Sequence, residues 1–138
     1  MALNTRFATS AQALVLLAAE PDKLHTSEEV AQKLNTNSVV VRREFLLLRE
    51  AGLIASHKGP SGGSKLARSA KDITLRDIYR AIHPQGLLRA PALPGPGMAG
   101  LQSVLKSIFA DASRVFEKEL DQTTLSQLVK KAQKKSKS

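Results

Sequence analysis

Apolar residues recur along most of the chain at the three- and four-residue steps of an amphipathic helix. Two stretches break that rhythm, one short and alternating, the other rich in Pro and Gly. Phe7, Ala8, Ala11, Leu14, Val15 and Ala18 mark a first helix, with Asn4 or Thr5 as its cap. Glu20-Pro21-Asp22-Lys23 reads as a turn. Thr26, followed three residues later by Glu29, has the spacing of a capping box and opens a short helix with Val30, Ala31 and Leu34 inward. After the Asn35-Thr36-Asn37 turn, a further helix is expected from Asn37 as N-cap to Ala51, with Gly52 as its stop. Val39, Val40 and Val41 are β-branched and favour a strand on propensity alone. The continuation RREFLLLREAG is strongly helix-forming and decides for the helix.

Leu53–Lys58 and Ser64–Arg68 are short runs around Gly59-Pro60-Ser61-Gly62-Gly63, the pattern of a β-hairpin. Thr74 then caps a helix carrying Leu75, Ile78, Tyr79 and Ile82. Residues 84–100 hold four of the six prolines and four of the eight glycines, so they form a loop. Beyond it, Leu101, Val104, Leu105, Ile108, Phe109, Ala112, Val115, Phe116 and Leu120 draw one apolar stripe over about five helical turns. Thr124 and Gln127 repeat the capping-box spacing before a short helix with Leu125, Leu128, Val129 and Ala132. Lys130, Lys131, Lys134, Lys135 and Lys137 form a basic tail.

The expected fold class is mainly α with a small β-hairpin: a winged helix–turn–helix domain plus a long dimerisation helix. The expected division is a winged domain at 1–83, a loop at 84–100, and a dimerisation helix, short helix and basic tail at 101–138. The stripe at 101–120 exceeds what a small winged domain can cover, which predicts a homodimer.

Composition narrows the chemistry. The 138 residues are 42% hydrophobic, but only 4% aromatic, so the core is aliphatic. A net charge of +9 points to a polyanionic partner, nucleic acid above all. With no cysteine, thiolate zinc sites and cysteine-held iron–sulfur clusters are excluded. Ala13–Ala19, the longest apolar run, is too short to span a bilayer. It has the look of a minimal signal core, but the helical spacing around it favours an amphipathic first helix and a cytoplasmic protein. Enzymatic readings fail on spacing: His25, His57 and His83 are scattered, and GPSGG is not a GxSxG elbow.

A helix–turn–helix followed by a hairpin places the 37–51 helix as the unit that enters a DNA major groove. Arg42 and Arg43 lie about 100° apart around its axis and flank one edge. The hairpin HKGPSGGSK adds His57, Lys58, Ser61, Ser64 and Lys65 on a slim, glycine-rich tip suited to a minor groove. A protein-interaction adaptor and an RNA-binding winged helix are the alternative functions that the same basic chain allows.

Five segments carry a family likeness: TSEEVA at 26–31, NSVVVRR at 37–43, LREAGLIAS at 48–56, KGPSGGSKLA at 58–67 and ITLRDIYRAI at 73–82. Together they resemble the Rrf2 family of bacterial winged-helix transcription regulators, closely over about residues 3–83 and in layout beyond. The resemblance implies a homodimer on a partly palindromic operator, usually as a repressor. It puts Asn37, Ser38, Val39, Arg42 and Arg43 on the recognition element and Lys58 where the family usually has a wing arginine. Ser64 stands where an aromatic is common. Iron–sulfur members carry three cysteines in and just after the loop matching 84–100, where this chain has none. The resemblance is therefore to the cysteine-free branch, with no cofactor and an effector or partner protein as the implied signal. Leu87, Leu88, Leu93 and Met98 in that loop are expected to close the core, or else to cover a small apolar effector pocket.

Overall fold

Two capped helix starts organise the N-terminal half, and both form as the spacing predicts. In the computed structural model, which describes residues 4–136, Thr26 Oγ1 accepts the Glu29 N–H while the Glu29 carboxylate accepts the Thr26 N–H. That reciprocal cap opens α2, Ser27–Leu34, after α1, Arg6–Ala19. At the start of α1 the Asn4 side chain, rather than that of Thr5, takes the Arg6 N–H. Asn35 ends α2 in the left-handed region, with φ of 54°. Asn37 Oδ1 accepts the Val39 N–H at 2.7 Å and starts α3, Ser38–Glu50. The valine run is thus helical: Val41 is buried with Phe45 and Leu48, and core burial at helical spacing overrides strand propensity.

Strands β1, Ile54–His57, and β2, Gly63–Leu66, pair antiparallel with Ser56 opposite Ser64. A third strand-like contact lies outside the expected hairpin. His25 and Ser64 exchange backbone N–H···O bonds of 2.9 Å, which ties the wing base to the segment before α2. Gly62 and Gly63 make this close packing possible. A Cβ on Gly62 would lie 2.2 Å from the His57 carbonyl oxygen, and one on Gly63 about 2.9 Å from the His25 backbone. Gly62→Ala is expected to prise the turn open while the helical core stays folded. Amide hydrogen exchange checks this: protection at Ser64 falls, and protection in α3 is retained.

A short 3-10 turn, Ala70–Asp72, leads into α4, Leu75–Ile82, capped by Thr74 and Asp77 in a second reciprocal box. The proline- and glycine-rich segment follows, and α5 runs from Ala99 to Leu120. Its first turn includes Ala99 and Gly100, two residues earlier than the apolar stripe suggests, because the Met98 carbonyl accepts the Gln102 N–H. Helix α6, Leu125–Ser136, turns back onto the N-terminal half. It packs on α1 and on the 3-10 turn. Leu125 is fully buried in the same core as Leu14, Leu48 and Ile78. Lys137 lies outside the described residues.

The loop leucines do not close that core. Leu87, Leu88 and Met98 stay about half exposed and Leu93 almost wholly so. Leu93 and Met98 border a hollow of about 360 Å³ against Leu101, Leu105 and Phe109. No helix among the described residues is long and apolar enough to cross a membrane.

Candidate nucleic-acid interface

The face of α3 turned from the core is set by the face turned toward it. Val41, Glu44, Phe45 and Leu48 point inward, so Val39, Arg42, Arg43 and Leu46 point outward at the same three- and four-residue steps. Val39 is 51% exposed at the N-terminal turn, and both arginines are exposed beside it. Asn37 is exposed and Ser38 half-buried at the helix start. The five expected recognition residues therefore share one surface, and Leu46 extends it.

The two arginines differ in their partners. Arg42 Nη1 donates to Glu28 Oε1 of α2 at 2.9 Å, while Arg43 has no hydrogen bond or ion pair among the described residues. At the other end of α3, Arg49 Nη1 donates to Ser56 Oγ at 3.1 Å, and Ser56 Oγ lies 2.9 Å from Ser64 Oγ. This chain of bonds couples α3 to the wing.

His57, Lys58 and Ser61 are exposed on the wing, and Lys65 is half-buried. Ser64 is turned the other way: it is 6% exposed, and its hydroxyl is committed to Ser56. Where an aromatic would pack, this chain closes the wing base with a serine pair and the His25 bridge. Ser64 thus shapes the wing and offers it no contact surface.

Behind α3 lies a group that sequence reasoning missed. Glu44 is 2% exposed, yet its carboxylate meets Arg6 Nε at 3.2 Å and Ser10 Oγ at 3.3 Å, both from α1. A buried carboxylate adds little net stability, because desolvation offsets its pairing. Its directional bonds do pin the rotation of α3 against α1, and hence which residues face outward. The only hint in the sequence is a Glu in the inward row of α3, with Arg6 and Ser10 one turn apart on α1.

Tyr79 joins this body to the loop and α5. Its ring stacks edge-on with Phe7 at 5.6 Å and Phe116 at 5.1 Å, and its hydroxyl accepts the Leu87 N–H at 3.0 Å. Arg80 Nε donates to Glu117 at 2.5 Å, holding the second half of α5 to α4. At His83, the end of α4, burial first and Arg6 second push the pKa down, with Glu44 opposing.

Most of the α5 stripe is left uncovered. Leu101, Val104, Leu105, Ile108, Ala112, Val115 and Phe116 are exposed, Phe109 is half-buried, and Gln102 is the one buried residue of the helix.

A family model matches residues 3–131, that of Rrf2, described as an iron-dependent transcriptional regulator. The chain belongs to the Rrf2 family. It is 35% identical over 127 residues to YwnA of Bacillus subtilis (strain 168), which bears the name of an HTH-type transcriptional regulator; the match covers 89% of this chain and 93% of that one. Against the HTH-type transcriptional regulator IscR of Cereibacter sphaeroides it is 30% identical over 136 residues, covering 94% and 88%. The solved structure of T. potens IscR superposes with a TM-score of 0.70 at 26% identity, over 96% of this chain and 88% of that one. This Rrf2 protein is thus a winged-helix transcription regulator and not an enzyme.

The family's iron dependence does not fit the donors present. The chain has no cysteine, and residues 84–100 contain no His, Asp or Glu. Among the described residues no three His, Asp or Glu side chains gather closely enough to hold a metal ion.

Proposed function

We propose that this Rrf2 protein is a cytoplasmic repressor that binds a partly palindromic DNA operator as a homodimer and needs no iron–sulfur cluster. The outward row Val39, Arg42, Arg43 and Leu46, flanked by a wing bearing Lys58, carries this reading. Such a row fits a major groove: arginine donates to guanine O6 and N7, and an apolar side chain meets the thymine methyl. Asn37 and Ser38 sit at the helix start, where phosphate is favoured. Lys58, His57 and Ser61 reach along the wing, and Lys65 supports them from β2. Lys58 keeps the charge of an arginine without its planar fork.

The exposed stripe of α5 supplies the dimer. An apolar surface of that length marks an association surface, and a two-fold pairing covers it with copies of itself. Two winged domains held this way present two reading helices to successive half-sites. The donor set leaves regulation to an effector or partner protein, and the loop at 84–100 beside α5 is a place for either to act by shifting the two domains.

Selection of bound duplexes from a random pool tests the reading. Inverted half-sites at a fixed spacing are expected; binding without sequence preference, or preference for RNA, overturns it. Arg42→Ala or Arg43→Ala, where the arginine touches a base, is expected to cost about 1–3 kcal/mol and relax preference at one position. Lys58→Ala should weaken binding chiefly to sites with a narrow A·T-rich minor groove. Equal weakening on all sequences would mean that these residues meet phosphate alone.

A further inference from the structure

Arg42 and Arg43 are adjacent on one exposed face, yet one is tethered and the other free. The tether is Glu28, and the ordinary duties of a first-turn glutamate are already taken. Glu29 closes the capping box with Thr26 and also pairs with Lys23 at 3.0 Å. Glu28 instead reaches across to α3, fourteen residues away, and accepts from Arg42 Nη1 at 2.9 Å. Both side chains are more than half exposed, so the pair does little for folding.

We propose that Glu28 is a positioning residue for DNA readout: it aims Arg42 at a base edge and thereby narrows the sequence preference of the protein. This rests on α3 being the helix that reads the major groove. A free arginine has many rotamers and serves a phosphate as well as a base. Anchoring Nη1 on a carboxylate restricts the side chain and leaves its remaining N–H groups to meet guanine O6 and N7. The anchor has a second effect. A carboxylate beside the DNA backbone opposes binding, and that penalty is offset only where Arg42 stays engaged with both Glu28 and a matching base. Discrimination thus grows through a repulsive element as well as an attractive one. Arg43, without a tether among the described residues, keeps the freedom to meet a base or a phosphate.

The test compares the wild type with Glu28→Gln, Glu28→Ala, Arg42→Ala and the Glu28→Gln/Arg42→Ala pair. Each is measured on the selected duplex, on its single-base variants and on a scrambled duplex at one salt concentration. Melting curves confirm that the exposed substitutions leave folding intact. Glu28→Gln is expected to bind the scrambled duplex roughly 3-fold more tightly, through loss of one negative charge. At the base pair assigned by Arg42→Ala it should lose about 10-fold in discrimination, on the scale of one base contact. On the Arg42→Ala background the same change should no longer alter base preference. If Glu28→Gln shifts affinity equally for all duplexes, the proposal is overturned while the DNA-binding reading stands. If the wild type shows no sequence preference on duplex DNA, both fall.

Discussion

Ile108→Glu is expected to convert the proposed homodimer to a monomer with intact winged domains and to abolish tight operator binding. Ile108 lies mid-way along the uncovered stripe of α5 and is 53% exposed in the single chain, so a polar group there leaves the protomer core untouched. In a two-fold pairing the substitution enters twice. Each copy loses about half of an isoleucine's burial, about 0.8–1.5 kcal/mol, and gains a carboxylate whose desolvation costs at least about 1–3 kcal/mol. The summed loss of about 3 kcal/mol or more corresponds to roughly 100-fold or more in dimer affinity. Operator affinity falls with it, because a monomer engages one half-site and forfeits the effective concentration of the second. Sedimentation at micromolar concentration, a thermal melt and binding to the selected duplex measure the three parts. A wild type that sediments as a monomer sinks the α5 dimer, as does a variant that stays dimeric.

Leu125→Ala lowers the stability of the winged domain itself by about 2–5 kcal/mol, the range for emptying a buried leucine site. That is a large share of the roughly 5–15 kcal/mol that holds an ordinary domain together. Leu125 sits beyond α5 in sequence, but it is fully buried in the single core that also holds residues of α1, α3 and α4. Backbone bonds sew it in: the Leu125 N–H donates to Ile73 O at 2.7 Å, and the Leu75 N–H donates to Thr123 O at 3.0 Å. We therefore propose that the folding unit of the winged domain includes α6, and that the sequence division at residue 83 marks only where the chain departs into the loop. Denaturant unfolding monitored in α3 and in α6 should show one shared transition that shifts on substitution. Two independent transitions, with α3 unmoved by Leu125→Ala, contradict this.

Local signals were legible because their physics is local. Thr26 with Glu29, Asn37, Thr74 and Thr124 with Gln127 each cap a helix through bonds spanning two or three residues, and all four form as spaced. The glycine-rich turn and the outward arginines follow from the same short range. So does the family likeness, which rests on contiguous segments. The absence of cysteine is likewise read from the sequence alone.

Contacts between distant segments were not legible, since nothing in a short window encodes them. The bridge from His25 to Ser64 depends on the wing folding back to the start of α2, and it turned Ser64 from an expected contact into a buried support. Glu44 reads as a surface charge until α1 brings Arg6 and Ser10 to it. Arg42 and Arg43 flank one outward edge on a helical wheel; only the packing of α2 beside α3 puts Glu28 within reach of one of them. The sequence by itself determined the elements, the family and the outward row of α3, because periodicity and capping act over a few residues. Tertiary structure alone decided which of those outward groups are tethered, which are free and which helix closes the core, because burial and ion pairing depend on neighbours that the chain brings together only when it folds.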